Sequence, residues 1–361
     1  MIKIMCLLVA LTSFCDEKII NEILTETKNV LVEQVCFDED FFKKHSNALL
    51  SGHITGYYDK INQKIYLPRS RSYLIHSELV KHSDDVDLLF ELMLFHEKVH
   101  AFLHKKGILG SDLIFCALNE GFAEYCTWLY SKQKGIEKLF LLRQKHFLSM
   151  GQIELNKQCF YLDVCFFYHD AFLFFKQVVN PDKEYDLNTY FVSNKPTIKE
   201  ILFPKLYLNK EEVSVKSIHP RKGALINHLG LRKFINENKL FVGQAAKNSI
   251  LRNFEYGYQC KLDKELGVAT VLFFEEEKKI QTFYEKNQSL TNKKVDTHWK
   301  RSIIQNDNNA LGEQISLWTD KQENKSIVLI KCQNTIVELN LKLSDVDKEL
   351  VHNILNKVLE K

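Results

Sequence analysis

Residues 96–100 read His-Glu-Lys-Val-His, a stretch in which residue types and spacing both suit chemistry. Two histidines four positions apart stand on one face of a helix, so both imidazoles can reach a single ion. Glu97 points close to that ion without being required to bind it. A carboxylate so placed suits a general base acting on water beside the metal. The chemistry predicted is zinc-assisted hydrolysis, with peptides as the first substrate class.

A catalytic zinc usually takes three protein ligands and keeps one position for water. The segment Asn119-Glu120-Gly121-Phe122-Ala123-Glu124-Tyr125 supplies the third in Glu120. Twenty positions separate Glu120 from His100, enough for one helix to end, turn between Gly107 and Gly110, and return as a second. Gly121 allows the two helix backbones to approach near the ion. His104 follows His100 by four, but without the further pattern of a third histidine ligand, and reads as a helix-end residue. The nine cysteines form no C-x-x-C pair, so they indicate neither a disulfide scaffold nor a thiolate zinc site.

Several elements must position these groups. Ser83 is a good N-cap, with Asp84, Asp85 and Asp87 in the first turn. Leu88, Leu92, Phe95, Val99 and Phe102 mark a core stripe, and Gly107 closes the helix. His96 and His100 lie on a neighbouring face. A second helix is expected from Ser111 as N-cap to about Leu129, and a Phe-rich helix over 159–177. Residues 17–45 have helical periodicity. Gly52 to Asp59 and Lys64 to Pro68 read as a hairpin around Asn62-Gln63. The hairpin ending at Tyr66 is a candidate source of an edge strand for an extended peptide. A further helix is expected over about 223–238.

His-Glu-x-x-His followed some twenty residues later by Asn-Glu-Gly-x-Ala resembles the gluzincin metallopeptidases, the class containing thermolysin and a group of zinc aminopeptidases. The resemblance implies His96, His100 and Glu120 as ligands of one zinc ion and Glu97 as general base. It implies Glu124 as the acid that orients a ligand histidine from behind. A narrower likeness spans roughly residues 50–260. Gly56-Tyr57-Tyr58-Asp59, the two zinc motifs, Phe167-Tyr168-His169-Asp170 and Pro196 to Pro204 follow in the order seen in a group of uncharacterised, often exported bacterial proteins of metallopeptidase type. It makes Tyr168 the candidate donor to a developing oxyanion, with His169 the runner-up. That group carries Glu and His where this chain has Lys199 and Phe203, which puts its activity or substrate choice in question.

The chain has 361 residues, enough for two domains, and 45% hydrophobic residues, ordinary for a globular core. A net charge of +3 without a basic stripe does not suggest nucleic acid. Lys3, the apolar run Ile4 to Leu11 and Cys15 before Asp16-Glu17 resemble an export signal with a lipidated cysteine, and hence a membrane anchor. The alternative is a cytoplasmic protein whose chain starts with an ordinary strand or helix.

Composition turns toward strands after about residue 255. Val268 to Phe274, Ile315 to Trp318, Ile327 to Lys331 and Thr335 to Leu341 read as strands, with Gln333-Asn334 a tight turn. Helices are expected over 277–287 and from Ser344, capped with Asp347, to Leu359. The expected organisation is therefore α+β: a leader over 1–15, a mainly helical gluzincin-like domain over 16–255, and an α+β domain with an antiparallel sheet over 256–361. The last shows no chemistry and reads as a binding or structural module. The function expected is zinc-dependent peptide hydrolysis. Its alternatives are a zinc-site protein that binds rather than cleaves, and a hydrolase of a non-peptide amide or ester.

Overall fold

The computed structural model describes residues 23–37, 56–68, 83–150, 164–179, 187–209, 224–237, 244–262, 266–294, 299–304, 314–333 and 335–359. The expected leader with Cys15, residues 52–55 of the hairpin, the start of the Phe-rich helix and Asn334 lie outside these residues. The chain is mixed α+β and divides into two compact units, Met1–Glu211 and Glu212–Lys361.

The first unit opens with a helical turn over 23–28 and strand β1, Glu33–Phe37. The helical periodicity read over 17–45 therefore fails at Val35, where sheet pairing overrides local pattern. β1 runs parallel to β3, Lys64–Pro68, and Lys64 reaches Glu33 at 3.0 Å. β2, Tyr57–Asp59, pairs antiparallel on the other side, giving the order β1-β3-β2. β3 is thus central, and β2 is an edge strand among the described residues. The Asp59 carboxylate closes the turn by accepting from the backbone N–H groups of Ile61 and Asn62.

Helix α1, Ser83–Lys105, lies against this sheet through Met93, Ile65 and Leu67. Leu92, Phe95, Val99 and Phe102 are buried as the stripe requires, and Gly107 takes the left-handed φ of +74° that ends the helix. Helix α2, Leu113–Gln133, returns alongside. Its N-cap is Asp112 rather than Ser111: the Asp112 side chain accepts from the Phe115 N–H at 2.9 Å. Helix α3, Glu137–Met150, follows.

The Phe-rich segment is helical over its described part, but it contains a π-helical turn, Phe166–Asp170, leading into α4, Ala171–Val178. Such turns cluster at functional sites because the extra residue re-aims the side chains around it. Phe122 of α2, Phe175 of α4 and Phe191 interlock edge-to-face or stacked, with centroids 5.5 to 6.2 Å apart. The phenylalanines therefore fill a core between helices. A second π-helical turn, Thr189–Ser193, and the short helices α5, Ile198–Leu202, and α6, Pro204–Asn209, complete the unit. Thr197 and Glu200 form a capping box at α5.

The second unit begins with β4, Ala224–Ile226, so the helix expected over 223–238 is confined to α7, His228–Glu237. Then come α8, Gln244–Asn253, β5, Phe254–Lys261, β6, Gly267–Phe274, and α9, Glu277–Lys294. β7, Lys300–Ile304, β8, Gln314–Asp320, β9, Lys325–Cys332, β10, Thr335–Leu341, and α10, Lys348–Leu359, end the chain. The strands form one antiparallel sheet in the order β4-β5-β6-β10-β9-β8-β7. α10 covers one face through Val351, Ile354 and Leu355. α9 covers the other, where the Tyr284 hydroxyl meets Ser316 at 3.2 Å. Asp347 caps α10 by accepting from the Leu350 N–H, whereas the Ser344 N–H donates to Asn324.

One glycine fixes how the first unit closes. A Cβ on Gly121 would stand 2.5 Å from the Ala171 Cβ and 2.6 Å from its carbonyl carbon. The close approach that Gly121 permits is therefore between α2 and the Phe-rich segment, not between α1 and α2. Gly121→Ala is expected to cost about 1–3 kcal/mol, since backbone must move to relieve it. Urea denaturation of the purified variant measures this; a midpoint equal to wild type would contradict the packing.

Candidate metal centre

α1 and α2 bring His96, His100 and Glu120 to one point. The two Nε2 atoms are 3.0 Å apart, and Glu120 Oε2 lies 3.1 Å from that of His96 and 3.3 Å from that of His100. The three side chains form a group able to hold a metal ion. Both imidazoles are buried, and Glu120 is partly accessible.

The rest of each ring is held from behind. His96 Nδ1 stands 2.9 Å from Glu124 Oε1, and His100 Nδ1 is 3.2 Å from the Asn119 carbonyl Oδ1. The Asn119 oxygen keeps a proton on His100 Nδ1 and leaves its Nε2 with the lone pair, the form a metal needs, whereas the Glu124 carboxylate meets His96 Nδ1 as an ion pair, off the line of a hydrogen bond. Glu124 is wholly buried and does not stand alone. The guanidinium of Arg143 and the amide of Gln144, both on α3, donate to its two oxygens, the latter at 2.6 Å. Gln144 in turn faces His169 Nδ1 at 3.1 Å.

Tyr168, in the π-helical turn, stacks between His96 and Phe147, with centroid distances of 6.0 and 5.0 Å. The turn thus sets Tyr168 between His96 and Phe147 of α3, and His169 against Gln144 of the same helix. Glu97 is buried beside the hairpin: a Cβ on Gly56 would lie 3.5 Å from its Cγ. His104 pairs with the Tyr58 hydroxyl at 2.8 Å and stays outside the cluster. Lys199 is buried on α5, which packs against the Tyr168 turn, and Phe203 ends that helix. Cys116, Cys126, Cys165, Cys260 and Cys332 form no disulfide.

Arg143 and Gln144 escape a search for motifs because α3 carries none. The signal that points to them is indirect: a buried Glu124 needs a cation and a donor, and α3 is the next helix in the chain.

Electrostatics follow from this crowding. Burial opposes charge on His96, but the carboxylates of Glu120 and Glu124 outweigh it and push its pKa up to about 9. His100 is raised likewise, by Glu120 against burial. Burial acts against the Glu120 carboxylate too, yet the two imidazoles hold it well below the usual carboxylate range. Desolvation raises Glu97, with the charges of His100 and His96 opposing. Tyr168 is pushed well above an ordinary phenol by burial and by the carboxylates around it, so it remains a hydrogen-bond donor.

No family model, no curated protein and no solved structure matches the chain.

In metal-free protein the stabilisation from His96 is complete below pH 6.5 and is lost as the pH rises through about 9. That from Glu120 is complete above pH 4.5 and is lost only in acid, below the usual carboxylate range. The melting temperature of chelator-treated protein is therefore expected to fall between pH 6.5 and 9. Thermal melts at fixed ionic strength check this; a flat or rising profile would contradict charged imidazoles at the centre.

Proposed function

We propose that this protein is a zinc-dependent peptidase of gluzincin type, with His96, His100 and Glu120 as ligands and Glu97 as general base. The observation that carries this is the triangle of ligand atoms. Ligand atoms at ordinary zinc distances and tetrahedral angles stand about 3.3 Å apart. The three here stand 3.0, 3.1 and 3.3 Å apart. Two imidazole nitrogens and one carboxylate oxygen also form the donor set usual for a hydrolytic zinc, with one position left for water.

Zinc bound there supplies a Lewis acid that polarises a carbonyl and makes water more acidic. The remaining work falls to the chain. Glu97 accepts the proton of the attacking water and passes it to the leaving amine. Its raised pKa suits both halves of that transfer. Tyr168, kept as a phenol, donates to the oxyanion. Glu124 and Asn119 hold the two ligand rings, and Arg143 with Gln144 holds Glu124. Among the described residues β2 is an edge strand, along which an extended peptide can add, and it starts beside Gly56, next to Glu97.

The test is cleavage of a peptide library by wild type, Glu97→Gln and Tyr168→Phe, with zinc measured in each. The expected result is chelator-sensitive cleavage by wild type, none by Glu97→Gln, and about 10²–10³-fold slower turnover by Tyr168→Phe. All three should hold equal zinc. Zinc in all with cleavage in none would favour a binding protein, and ester or non-peptide amide hydrolysis alone would replace the substrate class. Unchanged turnover in Tyr168→Phe would remove that residue from the mechanism.

A further inference from the structure

The second unit contains a cavity of about 400 Å³ on the α9 side of its sheet, between α7, α9 and strands β4, β5, β6 and β10. That is within the size range of small-molecule sites. One end is apolar: Ile226 of β4, Leu231 and Phe234 of α7, Leu272 of β6 and Ile336 of β10. The other end holds one carboxylate, Glu338 of β10, half-buried.

The hydrogen bonds around Glu338 decide what this end can recognise. Asn287 Nδ2 donates to Glu338 Oε2 at 3.2 Å, and Asn340 Nδ2 donates to Oε1 at 3.0 Å. A carboxylate only accepts, so both amides are fixed with nitrogen toward it. Their Oδ1 atoms are left as acceptors. Each Glu338 oxygen keeps a lone pair free, since one oxygen accommodates about two hydrogen bonds. The polar end, which Gln259 and Thr270 opposite Glu338 also line, therefore carries one negative charge and several acceptors. No lysine or arginine lines it among the described residues. Lys331, opposite Ile336 on the neighbouring strand, is not part of the lining.

We infer that this cavity is a binding site for a small organic cation, a primary ammonium on an aliphatic or aromatic body. The ammonium has three donors and no acceptor, matching Glu338 and the two amide oxygens. The apolar end takes the hydrocarbon. This chemistry is shared by free amines and by the amino end of a peptide with an apolar first residue. The inference is independent of the metal centre, which lies in the other unit.

Calorimetric titration of the full chain tests it, with 2-phenylethylamine, the uncharged isostere 2-phenylethanol, and phenylalaninamide as probes. The amine should bind about tenfold or more tightly than the alcohol, the usual size of a charge-assisted hydrogen bond. Glu338→Gln should abolish that preference, and leave alcohol binding unchanged. Phe234→Ala, which leaves the polar end intact, should weaken both ligands. Melting curves of the variants show that they are folded. Phenylalaninamide binding more tightly than the amine would identify a peptide amino end, and weaker binding a free amine. Absence of amine binding to wild type, or an amine preference that survives Glu338→Gln, overturns the proposal.

Discussion

Burying several carboxylates and two imidazoles within hydrogen-bonding distance of one another demands positive charge at their centre. Glu97, Glu120 and Glu124 bring three carboxylates to one region, and Arg143 answers one of them. The remainder can be balanced in two ways. Both imidazoles can be protonated, as their raised pKa values favour in metal-free protein. Alternatively, one divalent cation can sit among neutral imidazoles and supply the same charge. The second arrangement places the charge where three ligand atoms already converge. Much of the first unit follows from this requirement: α2 must return beside α1, Gly121 must let the Phe-rich segment close, and α3 must bring Arg143 to Glu124.

The metal group was legible in the sequence because helical spacing is local. His96 and His100 share a face by the pitch of α1, and Glu120 needed only a turn long enough for α2 to return. Glu124, four residues on, falls one turn behind Glu120 for the same reason. The groups that the sequence left unmarked depend on longer-range packing. Arg143 and Gln144 reach Glu124 from a helix without a motif. The π-helical turn that separates Tyr168 from His169 is a departure of one residue from regular pitch, which periodicity does not register.

The strands show the same division. The β9–β10 hairpin was legible because two runs rich in β-branched and aliphatic residues flank Gln333-Asn334 in the sequence, and Cys332 pairs with Thr335. β1 was not, because its pairing with β3 is parallel and thirty residues distant, and helical periodicity around it masked the strand. The same parallel pairing makes β3 the central strand of its sheet. β4 joins the second sheet only by pairing with β5, so the contact boundary between units falls at 211/212, ahead of the compositional shift near 255.

The central claim is that two imidazoles and one carboxylate hold a single zinc ion. X-ray absorption at the zinc edge, on stripped protein reloaded with one equivalent, measures this most directly. The account predicts a first shell of nitrogen and oxygen at about 2.0–2.1 Å, imidazole outer-shell scattering from two rings, and no sulfur. A sulfur shell at about 2.3 Å, or an oxygen-only shell without imidazole scattering, would contradict it.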